Sequence, residues 1–399
     1  MNEPKLRFKA DDGSQFPDWE EKELGQILTE DLYPVENPDG AYTKLAIRSH
    51  GKGTFDRHVE AGESLDVDKM FEVKANRLIL NITFAWELAI AITTKEDEGK
   101  LVSHRFPQYM ISGNVDFYKY RLINERMRYD LGVASPGGAG RNRVLNKSAF
   151  LKIRKYIPSL PEQQKIAEFL STIDTVIEKQ KETVSAWEER KKGVMQKLFN
   201  QEVRFKADDG SDFPDTELVS IGEHITFSGG SQPDKKYFIY EEREGYIRLV
   251  QTQDYRTDKY KTYIPIEKAR KTCTETDVMI GRYGPPVFQI KRGIAGAYNV
   301  ALIKATEKDS SILDKEFMFY LLNRNDLFLA LDAVSRRSAG QAGVDMELLK
   351  KFKFYLPSIP EQQKIADCLS SLDEVIEKQK ATLAAWEELK KGLLQQMFV

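Results

Sequence analysis

The chain carries the same frame twice. Arg7-Phe8-Lys9-Ala10-Asp11-Asp12-Gly13-Ser14 returns as Arg204-Phe205-Lys206-Ala207-Asp208-Asp209-Gly210-Ser211. Leu160-Pro161-Glu162-Gln163-Gln164-Lys165-Ile166-Ala167 returns, with one Leu to Ile change, as Ile359-Pro360-Glu361-Gln362-Gln363-Lys364-Ile365-Ala366. The repeat unit is about 199 residues, half of a chain of 399. The copies match closely only at their edges, and residues 30–135 and 227–335 share almost nothing by eye. A duplicated frame around two divergent centres suggests one scaffold presenting two different reading heads.

After Pro161 the pattern predicts one uninterrupted helix to about Asn200. Steps of four and three from Ile166 reach Leu170, Ile173, Ile177, Gln180, Val184, Trp187, Lys191, Val194 and Leu198. The second copy gives Ile365, Leu369, Leu372, Ile376, Gln379, Leu383, Trp386, Lys390, Leu393 and Met397, with polar residues at the same two steps. A heptad stripe of this length is a coiled-coil pattern. Pro161 and Pro360 suit a first helical turn, and the acids after them suit its positive end. Each helix would be roughly 57 Å long at 1.5 Å per residue. Connectivity implies that the second helix runs back along the first, antiparallel, giving a pseudo-twofold dumbbell; a homodimerising coiled coil is the competing arrangement. The matched pairs Gln180 with Gln379 and Lys191 with Lys390 could fix register or face a partner helix. The expected organisation is a first module over 1–160, a central helix over 161–200, a second module over 201–359 and a C-terminal helix over 360–399. The fold class is α+β, with each module mixed α and β.

Composition narrows the function. Net charge is −2, against a simple nucleic-acid-coating protein. Yet residues 101–160 sum to +8 and residues 1–100 to −8. A locally basic face is compatible with DNA contact, because phosphate binding needs local rather than global charge; on charge alone, an unevenly charged solvated surface is the simpler reading. No apolar stretch reaches the ~20 residues of a membrane span, and the N-terminus lacks a signal-peptide pattern. Cys273 and Cys368 occupy non-equivalent positions, so a disulfide framework is not expected and a reducing cytoplasm is.

Within the modules, Leu78 to Phe84, Tyr246 to Val250 and Ala301 to Ile303 read as strands, and Phe317 to Leu331 as an apolar helix. Several loops have base-reading composition. Arg48-Ser49-His50-Gly51-Lys52 offers basic donors with little bulk. Gln251-Thr252-Gln253-Asp254-Tyr255-Arg256 combines amide, carboxylate and guanidinium groups. Arg282-Tyr283-Gly284 follows an apolar run. The candidate DNA-binding residues are thus Arg48, His50, Lys52, Arg248, Gln251, Gln253, Arg256, Arg282 and Tyr283, with Arg141 and Arg143 on the basic segment. Arg141, Arg143, Lys152, Arg154 and Lys155 are expected at phosphates. Gln163, Gln164, Lys165, Gln180 and Trp187, with Gln362, Gln363, Lys364, Gln379 and Trp386, are candidate partner-binding residues on the helices.

No catalytic constellation is present. Neither copy has the Asn/Asp-Pro-Pro-Tyr/Phe tetrapeptide of a methyltransferase, and the phosphate-cradling Gly-x-x-x-x-Gly-Lys-Ser/Thr loop is missing. His50, His58, His104 and His224 show no metal-ligand spacing. No cofactor or metal is expected.

The frame resembles the specificity subunit of type I restriction–modification enzymes. The residues that carry the likeness are Pro158 to Ala167 and Leu170 to Asp174, with their copies Pro357 to Ala366 and Leu369 to Asp373. Trp19-Glu20, Leu24-Gly25 and Asp277 to Gly284 add to it. The resemblance covers the whole chain and implies two target recognition domains, each reading half of a split DNA site, with the helices as a ruler between them. It further implies two DNA adenine methyltransferase subunits and ATP-driven restriction subunits as partners. One departure is Thr216 where the first copy has Trp19. The resemblance assigns no individual base contacts.

Overall fold

The computed structural model describes residues 4–61, 69–137, 143–284, 286–335 and 343–398. It divides into two units, residues 1–181 with 382–399 and residues 182–381. The first holds β1 (Glu20–Glu23), β2 (Leu28–Glu30), β3 (Tyr33–Val35), β4 (Tyr42–Ile47), β5 (Thr54–Val59), β6 (Met70–Glu72), β7 (Arg77–Leu80), β8 (Ile90–Ile92), β9 (Leu101–Ser103) and β10 (Gln108–Ile111). Helices α1 (Val115–Leu122), α2 (Glu125–Val133) and α3 (Lys147–Leu151), strand β11 (Arg154–Ile157) and the long helix α4 (Leu160–Phe199) follow. The second copy then supplies β12 (Glu217–Ser220), α5 (Ile221–His224), β13 (Ile225–Gly229), β14 (Tyr246–Val250), β15 (Tyr263–Pro265), β16 (Thr272–Cys273), β17 (Val278–Gly281), β18 (Gln289–Lys291), β19 (Gly296–Tyr298) and β20 (Leu302–Glu307). It ends with α6 (Lys315–Leu322), α7 (Asn325–Ser335), α8 (Met346–Lys351), β21 (Lys353–Leu356) and the second long helix, α9 (Ile359–Met397).

The centres that look unrelated in sequence share one topology. The first head has sheets β1-β11, β2-β10-β7-β8 and β3-β6-β9-β4-β5; the second has β12-β21, β13-β20-β17-β18 and β15-β14-β19-β16. Strand for strand the orders correspond, with β3 an extra edge in the first head. The parallel pairings fall at the same place, β4 with β9 and β14 with β19. The physical reason is visible in the central strands. Leu78 and Leu80 of β7 enter the large core of the first head, while Ile79 points the other way into a small core with Leu45 and Val102. In β17, Val278 and Ile280 enter the large core and Met279 the small one with Val250 and Tyr298. A strand buried on both faces needs an unbroken apolar run, and any apolar residues of suitable volume satisfy it.

Two sequence expectations are corrected here. The strand expected to reach Phe84 stops at Leu80, because the Asn81 side chain accepts from the Thr83 amide and turns the chain. The single helix expected over Phe317 to Leu331 is broken between α6 and α7. Asp326, clasped by Arg324, accepts from the Leu327 amide at that break.

The apolar stripes of α4 and α9 are divided between the units. Ile166, Leu170, Ile173 and Ile177 lie in the first head's core, with Leu383, Trp386, Leu393 and Met397 from the end of α9. Met195, Leu198 and Phe199 from the end of α4 join Ile365, Ala366 and Leu369 from the start of α9 in the second. Each head is thus completed by the beginning of one long helix and the end of the other.

Candidate nucleic-acid interface

The repeated edges of the sequence turn out to be contact partners. Glu162, fully buried, takes a two-pronged pair from Arg7: Nε to Oε1 at 3.1 Å and Nη2 to Oε2 at 2.9 Å. Trp19 Nε1 donates to the same carboxylate at 3.1 Å. The second copy repeats this with Arg204 and Glu361 at 3.0 and 2.7 Å, without the indole. Burying a carboxylate without such partners is costly.

This arrangement revises the expected partner surface. Gln163 and Gln362 do not present their amides outward. The Gln163 side chain donates to Pro158 O and accepts from the Asn114 amide; Gln362 donates to Pro357 O and Ile312 O and accepts from the Asp314 amide. Their hydrogen-bonding groups are spent on loops of their own head. Lys165 and Lys364 are likewise engaged internally, on Lys9 O with Asp11 and on Lys206 O with Asp208. Trp386 packs against the first head's core. Gln164 and Gln363 remain exposed, and Gln180, Gln379 and Trp187 are half-buried.

The two lysine steps of the stripe form matching clusters. Lys191 pairs with Asp373 at 2.5 Å, and Asp373 accepts from the Tyr320 hydroxyl at 2.8 Å. Lys390 pairs with Asp174, which accepts from Tyr120 at 2.7 Å. Each lysine also lies over the tyrosine ring, at 5.2 and 5.6 Å. Burial, the carboxylate bond and the carboxylate charge push both tyrosine hydroxyls up, so they stay protonated donors. In the second unit Glu188 meets Lys380 while Lys191 meets Asp373, so the partners run in opposite senses along the two helices.

The expected reading loops occupy equivalent places in the two heads. Arg48, His50 and Lys52 lie on the connection between β4 and β5; Gln251, Gln253 and Arg256 lie on the connection between β14 and β15. These strand pairs correspond, but the second connection is twice as long, which hides the equivalence in sequence. Arg48, His50, Lys52, Gln253 and Arg256 are exposed, while Arg282 and Tyr283 are half-buried with the guanidinium 5.2 Å from the tyrosine ring.

Other candidates are taken up inside the protein. Arg248 is held by Asp258 at 3.0 Å and Asp254 at 3.6 Å. Gln251 donates from its side chain to Thr262 at 3.1 Å. Arg143 closes the end of α2 by donating to Gly132 O and Ser135 O, and lies over Trp86. Arg141 lies outside the described residues. Of the expected phosphate contacts, Lys155 is buried against Asp130 and Arg154 reaches Glu21 and Glu23, leaving Lys152 exposed. Burial pulls Lys155 down, and burial with neighbouring Arg126 pulls Arg121 down to about 10. Within the basic run of residues 101–160, Arg121 and Lys155 are thus interior, while Arg105, Lys119, Arg126, Arg128, Lys152 and Arg154 are exposed. Among the described residues no cluster of His, Cys, Asp and Glu is arranged to hold a metal ion, and no helix is long and apolar enough to cross a membrane.

The family model described as the type I restriction modification DNA specificity domain matches residues 117–185 and 215–385, more than half of the chain. The chain belongs to this family. It is similar to the type I restriction enzyme MjaVIII specificity subunit of Methanocaldococcus jannaschii, 25% identical over 274 residues, covering 63% of this chain and 62% of that protein. That match spans less than two thirds of the relative. The putative type I restriction enzyme MjaX specificity subunit of the same organism is 24% identical over 424 aligned residues, 97% of this chain and 94% of that one. Among solved structures, one describing complex assembly and conformational transition of the type I R-M system has TM-score 0.60 at 18% identity, covering 96% of this chain and 98% of that one. The type I restriction-modification S subunit from M. genitalium has TM-score 0.56 at 13% identity, covering 100% and 99%. These two likenesses are of fold.

Proposed function

We propose that this specificity-family chain reads a bipartite, asymmetric DNA site and serves as the platform on which methyltransferase and restriction subunits assemble. The modules 1–160 and 201–359 act as target recognition domains. Helices α4 and α9 pair as an antiparallel coiled coil that spaces them. The chain supplies no catalysis and holds no cofactor, leaving methyl transfer and ATP-driven cleavage to two methyltransferase subunits and the restriction subunits in the cytoplasm. The observation that supports this reading best is that a repeated frame and a repeated strand order carry connections of different length and chemistry at the same place. Equal scaffolds with unequal edges suit two unlike half-sites. Arg48, His50, Lys52, Gln253, Arg256, Arg282 and Tyr283 remain the candidate contacts.

The test is methylome sequencing of cells with and without the gene. A split motif should lose its methylation in the deletion strain and regain it on complementation. An unchanged methylome would leave the chain without a DNA-reading role.

A further inference from the structure

Two connections of the first head meet at a strained contact. The connection between β7 and β8 turns at Leu88, whose φ is 60°. A bulky residue in that conformation is an outlier, and it persists only where the surrounding structure enforces it. Leu88 is buried in the large core, and its amide donates to Ala85 O at 2.8 Å. The second head repeats the feature: Phe288, also buried, has φ 59° just before β18. The strained turn therefore belongs to the shared architecture.

What meets that turn differs between the heads. In the first, the connection between β4 and β5 places a second non-glycine outlier, His50, at φ 64°, beside Gly51 at 65°. Their amides donate to Glu87 O and Leu88 O at 2.7 and 2.9 Å, and Ser49 Oγ donates to the Glu87 carboxylate at 2.7 Å. A Cβ on Gly51 would come within 2.6 Å of the Ile123 side chain, so the close approach needs glycine. Arg48, His50 and Lys52 stay exposed around this clasp. In the second head no residue of the connection 251–262, all of them among the described residues, has a left-handed φ. The strain at His50 is thus not demanded by the strand order that the heads share.

We propose that the turn at Glu87 and Leu88 is a mount that positions the tip 48–52 for base choice in one half-site, with Glu87 as its positioning residue. The two carbonyls hold the backbone of the tip, and the Glu87 carboxylate, through the Ser49 hydroxyl, holds its orientation. Neither group meets DNA itself; both act through the exposed side chains of Arg48, His50 and Lys52. A side chain discriminates sharply only while the residues supporting it keep it in place. This inference deepens, and rests on, the DNA-reading function proposed above.

The experiment is methylome sequencing of cells carrying the full gene with Glu87→Ala, Glu87→Gln, Ser49→Ala or Gly51→Ala in place of wild type. Glu87→Ala and Ser49→Ala should each lower base discrimination in one half-site by roughly 5-fold, the worth of one hydrogen bond. Glu87→Gln keeps an acceptor for Ser49 and should restore the wild-type choice. Gly51→Ala should relax the same half-site further. Unaltered choice in the other half-site reports an intact fold. Should Glu87→Ala or Gly51→Ala abolish methylation altogether, Ser49→Ala, which removes a single hydroxyl, decides: relaxed choice in one half-site supports the mount, and wild-type choice overturns it. A fall in methylation at every site without a change of motif, or wild-type choice in all four variants, overturns it too, although the chain remains a reader. If deleting the gene leaves the methylome unchanged, both readings fall.

Discussion

The two heads share a strand order and differ in what they do with the same ribbon. In the first, the short connection 48–53 is pinned to the turn at Glu87 and Leu88 and leaves Arg48, His50 and Lys52 exposed. In the second, the connection 251–262 folds back on β14, and Asp254 and Asp258 take up Arg248. The buried sides of the sheets hold the architecture constant, so variation is free to accumulate in connection length and polar content. The frame is nearly identical in the two copies, with one exception at its buried carboxylate. Glu162 receives three donor groups and Glu361 two, because Thr216 stands where Trp19 would be.

That exception offers the largest test of the comparison. Glu162→Ala and Glu361→Ala each leave a half-buried arginine without its carboxylate, at a cost of about 3 kcal/mol. Denaturant unfolding of the two variants side by side should show the greater loss for Glu162→Ala, which also strands the Trp19 N–H. An equal loss would mean that the indole adds nothing.

Acid separates the heads next. Burial raises the Asp277 carboxyl, but the Thr274 amide, Lys315 and Lys304 outweigh it and hold the group down at about 2. Its folded value is below the unfolded value of 3.8, so its stabilisation is present above that pH and is lost as pH falls toward about 2. The contribution is at most about 2 kcal/mol. The residue at the corresponding place in the first head, just before Leu78, is Arg77, so no carboxylate stands there. Asp277→Asn should therefore flatten the acid limb of the second unit's unfolding, followed by pH-dependent thermal melts. The acid limb of the first unit should not move.

A third comparison concerns the two arginines of the ribbons. Arg248→Ala leaves Asp254 buried with less compensation and should cost about 1–3 kcal/mol. Arg48→Ala, on an exposed site, should stay within about 0.5 kcal/mol of wild type. Equal melting shifts would show that the second ribbon's face is not covered in the way described.

Much of this molecule was legible in its sequence. The long helices follow from a stripe that alternates in steps of four and three, and the two-copy frame from plain identity. The shared topology of the centres was not legible, because Leu78-Ile79-Leu80 and Val278-Met279-Ile280 satisfy the same double burial with different residues. Individual site residues were harder still. Arg143 and Arg248 look free in a linear reading, yet their acceptors lie at Gly132 and Ser135 and at Asp254 and Asp258, where only the fold brings them close. Gln163 and Gln362 sit among polar neighbours on a helix start, but the loop amides of Asn114 and Asp314 claim them.

The central claim is that the heads read DNA and the frame only carries them. Replacing residues 226–356 with residues 28–157 puts the first head's strands on the second copy's frame at equivalent positions. Methylome sequencing of cells carrying this chimera, with its partner binding verified, measures the outcome directly. The account predicts methylation of a palindrome made of the first half-site and its inverted copy, at close to the native spacing. Continued methylation of the original asymmetric sequence would contradict it.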